Sequence, residues 1–294
     1  IFMRKEFLFL ILLSLLSCKP NTFSTDKGLI TVSIAPFGFF VEKIGGGDFI
    51  VNVMVPEGAD PHVYEPAPAQ VAALRKSSAY ISDGYLDFEL AWLDKFYSVN
   101  PSMKKLKLAD SVELIKEEAE VNEGSMSYAD PHFWVAPLSG LKIAESVKSL
   151  LCELKPDSCE KYTLNFHAVE DSIFKIHKRA SELFAPFAGH SFVVFHHTLA
   201  YIAKDYNLIQ VSIEKEGKEP SPGWLREVID MAKKNRTGVI LIQKEYDTRN
   251  ARVVASESGA GIREIRPLSA DWYGAVNDII DAIYESFTAS DSKK

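Results

Sequence analysis

"DSCEKYTLNFHAVEDSIFKIHKRASELF", residues 157–184, decides how the rest of the chain is read. Its apolar residues Tyr162, Phe166, Val169, Ile173, Ile176, Ala180 and Leu183 follow one another at intervals of four and three. That alternation traces a single stripe along one continuous α-helix. Asp157, with Glu160 three residues on, supplies a start signal, and Pro186 and Gly189 supply the stop. At 1.5 Å per residue the helix runs on the order of 40 Å. A connector of that length braces what lies on either side of it and resists large hinge motion. His167 and His177 fall outside the stripe and are expected on its solvated surface.

On both sides of this helix, short apolar runs alternate with helical stretches. The expected strands are Leu29–Ala35, Phe49–Val55 and Ala79–Ser82 before it, and Ser191–Phe195, Leu208–Val211, Val239–Gln243 and Ile262–Ile265 after it. Between them lie amphipathic segments such as "SPGWLREVIDMAKKN", in which Ser221 suits a cap, Pro222 the first turn, and Leu225, Val228, Ile229 and Ala232 one buried face. Strand and helix in alternation predict an α/β fold with parallel sheets covered on both sides.

The chain has 294 residues and a net charge of −7, with no basic stripe, so no nucleic-acid partner is expected. "MRKEFLFLILLSLLSC" has a basic start and an apolar core of roughly ten residues, too short to span a bilayer well. It reads as a signal peptide over residues 1–17. Its last four residues resemble a bacterial lipobox, which makes Cys18 the lipidated residue and 18–27 a polar tether to a membrane. The other two cysteines, Cys152 and Cys159, bracket Pro156; in an exported chain they are expected to close a disulfide.

Two triplets recur on different loops: Asp60-Pro61-His62 in "GADPHVYEPAP" and Asp130-Pro131-His132 in "ADPHFWVAP". A third histidine, His196, follows the apolar run Ser191–Phe195 directly, and His197 comes next. In parallel α/β sheets, ligands bind beyond the carboxyl ends of strands. His62, His132 and His196 are 70 and 64 residues apart, spacings that no local metal finger uses. Three neutral imidazoles suit a borderline ion such as zinc, with a protein group or water as fourth ligand.

With these stretches in view, the chain resembles the zinc/manganese-type (cluster A) metal solute-binding lipoproteins that feed bacterial ABC importers. The resemblance extends over residues 28–290 and includes "GADPHVYEPAPAQVAAL", "DPHFWVAP", "VFHHTLAYIAKDYNL", "IEKEGKEPSPGWLREVI" and "ASESGAGIREIRPL". It implies two α/β lobes, 28–156 and 187–290, joined by a rigid backbone helix over 157–186, with the metal in the cleft between them. It also implies ligand roles for His62, His132 and His196, and Zn2+, or alternatively Mn2+, as transported ligand. The implied partner is a membrane permease, and the implied setting is export, lipid anchoring at a membrane, and a monomer.

One departure bears on the site. The family that this chain resembles often shows an aspartate in an "LDPL"-like segment, where its carboxylate can bind the metal from the second lobe; this chain has "EIRPLSADW" there, with Arg266 at the aspartate position. A guanidinium cannot ligate a cation. Asp271, Glu245, Gln243 or His197 is then left to complete the shell, or water does so. Asp60, Glu65 and Asp130 are near enough in sequence to back the histidines or to cap turns. Loss of a carboxylate tilts the site from manganese toward zinc. The acidic run Lys116 to Tyr128 is expected to be a solvated loop, and "KEGKEPSP" (215–222) to belong to the cleft edge rather than to ligation. A metal-dependent hydrolase is a poorer reading, because no H-E-x-x-H, G-x-S-x-G or P-loop is present. Adhesion has no feature of its own here.

Overall fold

The first strand is shorter than its apolar run. In the computed structural model, which describes residues 27–116, 129–214, 219–246 and 248–288, β1 covers Gly28–Val32 and the helix α1 (Ala35–Gly45) follows at once. Pro36 sits in the first turn of α1, where its fixed φ and missing N–H cost nothing; that is why the strand expected to reach Ala35 stops early. Gly46, with φ of 58°, ends the helix in the left-handed conformation. Residues 1–17, Cys18, the tether up to residue 26 and residues 117–128 of the acidic run lie outside the described residues.

The first lobe continues with β2 (Phe49–Val53), α2 (Pro68–Ala73), β3 (Ser77–Ser82), α3 (Asp87–Val99), β4 (Lys104–Lys107) and α4 (Pro137–Leu154). After α5 (Cys159–Phe184) come β5 (Ser191–Val194), α6 (Ala200–Asp205), β6 (Ile209–Ser212), α7 (Pro222–Lys234), β7 (Val239–Ile242), α8 (Arg249–Ser258), β8 (Gly261–Glu264) and α9 (Trp272–Thr288). Each lobe holds one four-stranded sheet, ordered β2-β1-β3-β4 in the first and β6-β5-β7-β8 in the second. Every pairing is parallel. In both sheets the order reverses beside the strand that comes first in sequence, which opens a crevice beyond the strands' carboxyl ends.

Along α5, Tyr162, Phe166, Val169, Ile173, Ile176, Ala180 and Phe184 are buried, so the stripe reads as expected except at its last position, where Phe184 rather than Leu183 is fully enclosed. The helix begins at Cys159 instead of Asp157, because Pro156–Ser158 forms a separate 3-10 turn. A disulfide joins Cys152 of α4 to Cys159 of α5. His167 is exposed, as expected. His177 is half-buried instead, with its Nδ1 3.0 Å from the Tyr206 hydroxyl.

A second brace was not legible in the pattern of α5. Trp272, the first residue of α9, donates from Nε1 to the Trp134 carbonyl at 2.6 Å, and Trp134 donates from Nε1 to the Pro267 carbonyl at 3.0 Å. Both indoles are essentially enclosed. The Trp272 ring also passes so close to α4 that a Cβ at Gly140 would lie 2.4 Å from it. Two interlocked tryptophans therefore tie the lobes together at the floor of the cleft, where Trp134 also packs beside His132, ring centroids 5.3 Å apart. One continuous core runs through both lobes and these helices, and a smaller one lies between β5, β7, α7 and α8. Among the described residues, no helix is long and apolar enough to cross a membrane.

Candidate metal centre

His62 lies in the turn after β2. Its backbone N–H donates to Asp60 Oδ1 at 2.9 Å, an Asx-type closure that the intervening Pro61 stiffens. His132 repeats the device: its N–H donates to Asp130 Oδ1 at 2.8 Å, on a single 3-10 turn (His132–Val135). His196 follows the end of β5 and lies flat against Tyr246, ring centroids 4.4 Å apart. His132 and His196 are 6% and 5% exposed, while His62 is half-buried.

The three rings converge. His62 Nε2 and His196 Nε2 are 3.1 Å apart, and one nitrogen from each ring falls within 4.8 Å of the other two. Tetrahedral zinc at about 2.0–2.1 Å from each nitrogen separates its ligands by roughly 3.4 Å, so the cluster suits such an ion with small adjustments. The far nitrogens decide the tautomers. His62 Nδ1 is 2.6 Å from Asp87 Oδ2, His132 Nδ1 is 2.8 Å from Asp130 Oδ1, and His196 Nδ1 is 2.7 Å from Glu214 Oε2. An ionised carboxylate only accepts, so each Nδ1 carries the hydrogen and each Nε2 turns a lone pair toward the centre.

Electrostatics differ from ring to ring. Burial pulls His62 down, but the Asp87 hydrogen bond and the charges of Asp60, Asp87 and Glu214 outweigh it and hold this imidazole above its ordinary value. Burial wins at His196, helped by the two neighbouring imidazoles, and its value is lowered. Burial would raise Asp130, yet contact with His132 and the nearby His197 hold it below the usual carboxylate range. Four carboxylates thus surround three imidazoles, a field that favours a divalent cation.

The fourth-ligand candidates separate clearly. A small cavity beside the rings is lined by His62, His132, Gln243, Glu245, Tyr246 and Leu268, among others. Gln243 is buried and donates from its amide to Thr198 Oγ1 at 2.6 Å. Glu245 has its Oε2 fully buried without a hydrogen-bond partner. Asp130 stands behind His132, and His197 stands behind Asp130, 3.6 Å from its Oδ2. Asp271 lies elsewhere: exposed, it caps α9 by accepting from the Gly274 N–H at 3.2 Å. Glu65 is exposed and does not line the cavity. Arg266 is also exposed, and only the Pro267 and Leu268 that follow it face the cavity.

Asp87, Glu214 and Tyr246 are absent from the sequence-derived set. Asp87 opens α3 just past β3, and Glu214 lies just past β6, immediately before "KEGKEPSP". A carboxylate at the end of a parallel strand was the available signal, and it marks many residues that have no such role.

The model of the family "Zinc-uptake complex component A periplasmic" matches residues 30–286. The chain is 25% identical over 269 residues to the zinc-binding lipoprotein AdcA of Streptococcus pneumoniae, an alignment covering 88% of this chain and 53% of AdcA. It therefore spans about half the length of that relative. It is likewise 25% identical over 266 residues to the metal ABC transporter substrate-binding lipoprotein SloC of Streptococcus mutans, covering 85% of this chain and 84% of SloC. A crystal structure of ZnuA superposes with a TM-score of 0.83 at 36% identity, covering 90% of this chain and all of that one.

Proposed function

Because this chain belongs to the zinc-uptake complex component A periplasmic family, we propose that it captures a divalent metal ion outside the cytoplasm and delivers it to an ABC importer. The ion is zinc in preference to manganese. The observation that carries this reading is the convergence of the Nε2 edges of His62, His132 and His196, each backed by a carboxylate. Three nitrogens make a softer shell than manganese prefers. The activity is binding and hand-over rather than catalysis. Anchoring through a lipid on Cys18, action as a monomer and docking on a membrane permease complete the proposal.

The histidines bind metal only when neutral, so protons compete with the ion. The raised His62 protonates before the lowered His196 as pH falls, and zinc affinity is expected to weaken as His62 takes up its proton. The decisive experiment is competitive loading of metal-stripped protein with zinc and manganese, read by elemental analysis. One tightly held zinc per chain is the expected result. His62→Ala and His196→Ala should each lower zinc affinity by well over the roughly 10–100-fold that loss of an outer partner costs, with circular dichroism unchanged. Wild-type zinc titrations in both variants would remove the site assignment.

A further inference from the structure

At the end of β7 the second lobe presents Gln243, Lys244, Glu245 and Tyr246 in succession, and their side chains divide the work around the cleft. Gln243 is occupied with Thr198, and Tyr246 lies against His196. Lys244 is exposed and crosses the cleft to Glu57 of the first lobe, Nζ to Oε1 3.1 Å. Drawing Lys244 outward leaves its neighbour Glu245 facing the cavity that His62 and His132 also line.

Glu245 is the anomaly there. Its Oε2 is fully buried and accepts no hydrogen bond among the described residues. A carboxylate oxygen removed from water without a donor is costly, and an adjacent cation is the partner that would offset the cost. Arg266, which stands where the family resemblance leads one to expect an aspartate, is exposed and does not line the cavity.

Glu245 lines the cavity but stands outside the 4.8 Å cluster of the three imidazoles. From this geometry we infer that Glu245 turns in when metal binds and is the fourth ligand, closing the shell with one carboxylate oxygen delivered by the turn between β7 and α8 instead of by residue 266. The inference rests on the three-histidine site proposed above. The ion then holds the lobes two against two: His62 and His132 from the first, His196 and Glu245 from the second. A shell of three nitrogens and one oxygen is tetrahedral and closed, leaving no position for an activated water. That suits a carrier and not a hydrolase.

The test uses the mature protein loaded with zinc for affinity and with cobalt for its visible spectrum, comparing wild type, Glu245→Gln and His62→Ala. Glu245→Gln keeps the side chain's shape, and its melting curve checks that it folds. The expected result is a roughly 10–100-fold loss of zinc affinity on the scale of shell perturbations. The intense tetrahedral cobalt bands of the wild type should weaken as water enters. Wild-type affinity and an unchanged cobalt spectrum in Glu245→Gln, with binding lost in His62→Ala, would overturn the role of Glu245 and leave the histidine site standing. Undiminished binding in His62→Ala would overturn the site itself, and this inference with it.

Discussion

A histidine is a good ligand only if the right nitrogen is free, and here three carboxylates make that choice. Asp130 was legible because the Asp-Pro-His triplet places it two residues before His132, where it takes both the backbone N–H and Nδ1. In the other triplet Asp60 takes only the backbone N–H, and the ring is held by Asp87, 25 residues further on. Glu214 reaches His196 from 18 residues away. Identical local frames thus acquire different partners, because a turn sets where the ring points but the packing of α3 sets what it meets. Asp87→Asn and Glu214→Gln should each leave the fold intact and weaken zinc binding by roughly 10–100-fold. Calorimetric titration of the two variants checks this, and affinities equal to wild type would mean that the carboxylates do not orient the rings.

Among the elements, the junction of β3 and α3 carries the most unusual chemistry. Asp83 and Glu89 are both completely enclosed. Glu89 accepts from the N–H groups of Asp83 and Gly84, at 2.8 and 2.6 Å, and so fastens the end of β3 to the first turn of α3, the turn that also bears Asp87. Burial pushes Glu89 up to about 7, and burial together with the Glu89 charge pushes Asp83 well above the usual carboxylate range. The sign follows from proton counts. Between its unfolded value near 3.8 and its raised folded value, Asp83 is protonated in the native state and ionised in the unfolded chain. Its contribution to stability is therefore lost as pH rises through that window and is intact below it. Asp83→Asn retains an acceptor for the Tyr85 N–H, now 3.1 Å from Asp83 Oδ1, and removes the titration. It should raise stability at pH 7.5 by on the order of 1 kcal/mol or more and change little near pH 3. Urea unfolding at the two pH values reads the difference; equal gains at both would point to packing rather than ionisation. None of this was visible in the apolar pattern, which locates β3 and says nothing of which acids it buries.

In the whole molecule, the lobes are held very differently on their two sides. Behind and beneath the cleft lie α5, the Trp134–Trp272 lock and a shared core; across the cleft mouth, Lys244 and Glu57 form an ion pair between exposed side chains. Exposed pairs are worth about 1 kcal/mol at most and are screened by salt. Glu57→Gln should consequently speed zinc release only a few-fold, with an effect that shrinks at high salt and leaves the melting temperature unchanged. Stopped-flow release into a chelator measures it, and a rate independent of both the substitution and the salt would exclude a clasp.

Local periodicity was enough to determine the connecting helix, the parallel α/β class and all seven expected strands to within a few residues, because side-chain spacing and backbone hydrogen bonding act over neighbouring residues; the lysine-rich edge strand β4 (Lys104–Lys107) has no apolar run and was not expected. The two Asp-Pro-His frames and His196 likewise picked out the three imidazoles that converge, since proline-stiffened turns and strand ends are short-range features. Tertiary structure alone decided the partners of the imidazoles, the tryptophan lock, the exposure of Arg266, and the placing of Glu245 at the cavity while Asp271 caps a helix. Those outcomes depend on which surfaces meet when residues far apart in the chain are packed together, and burial, which turns a common glutamate into an unpartnered buried oxygen, exists only in the folded molecule.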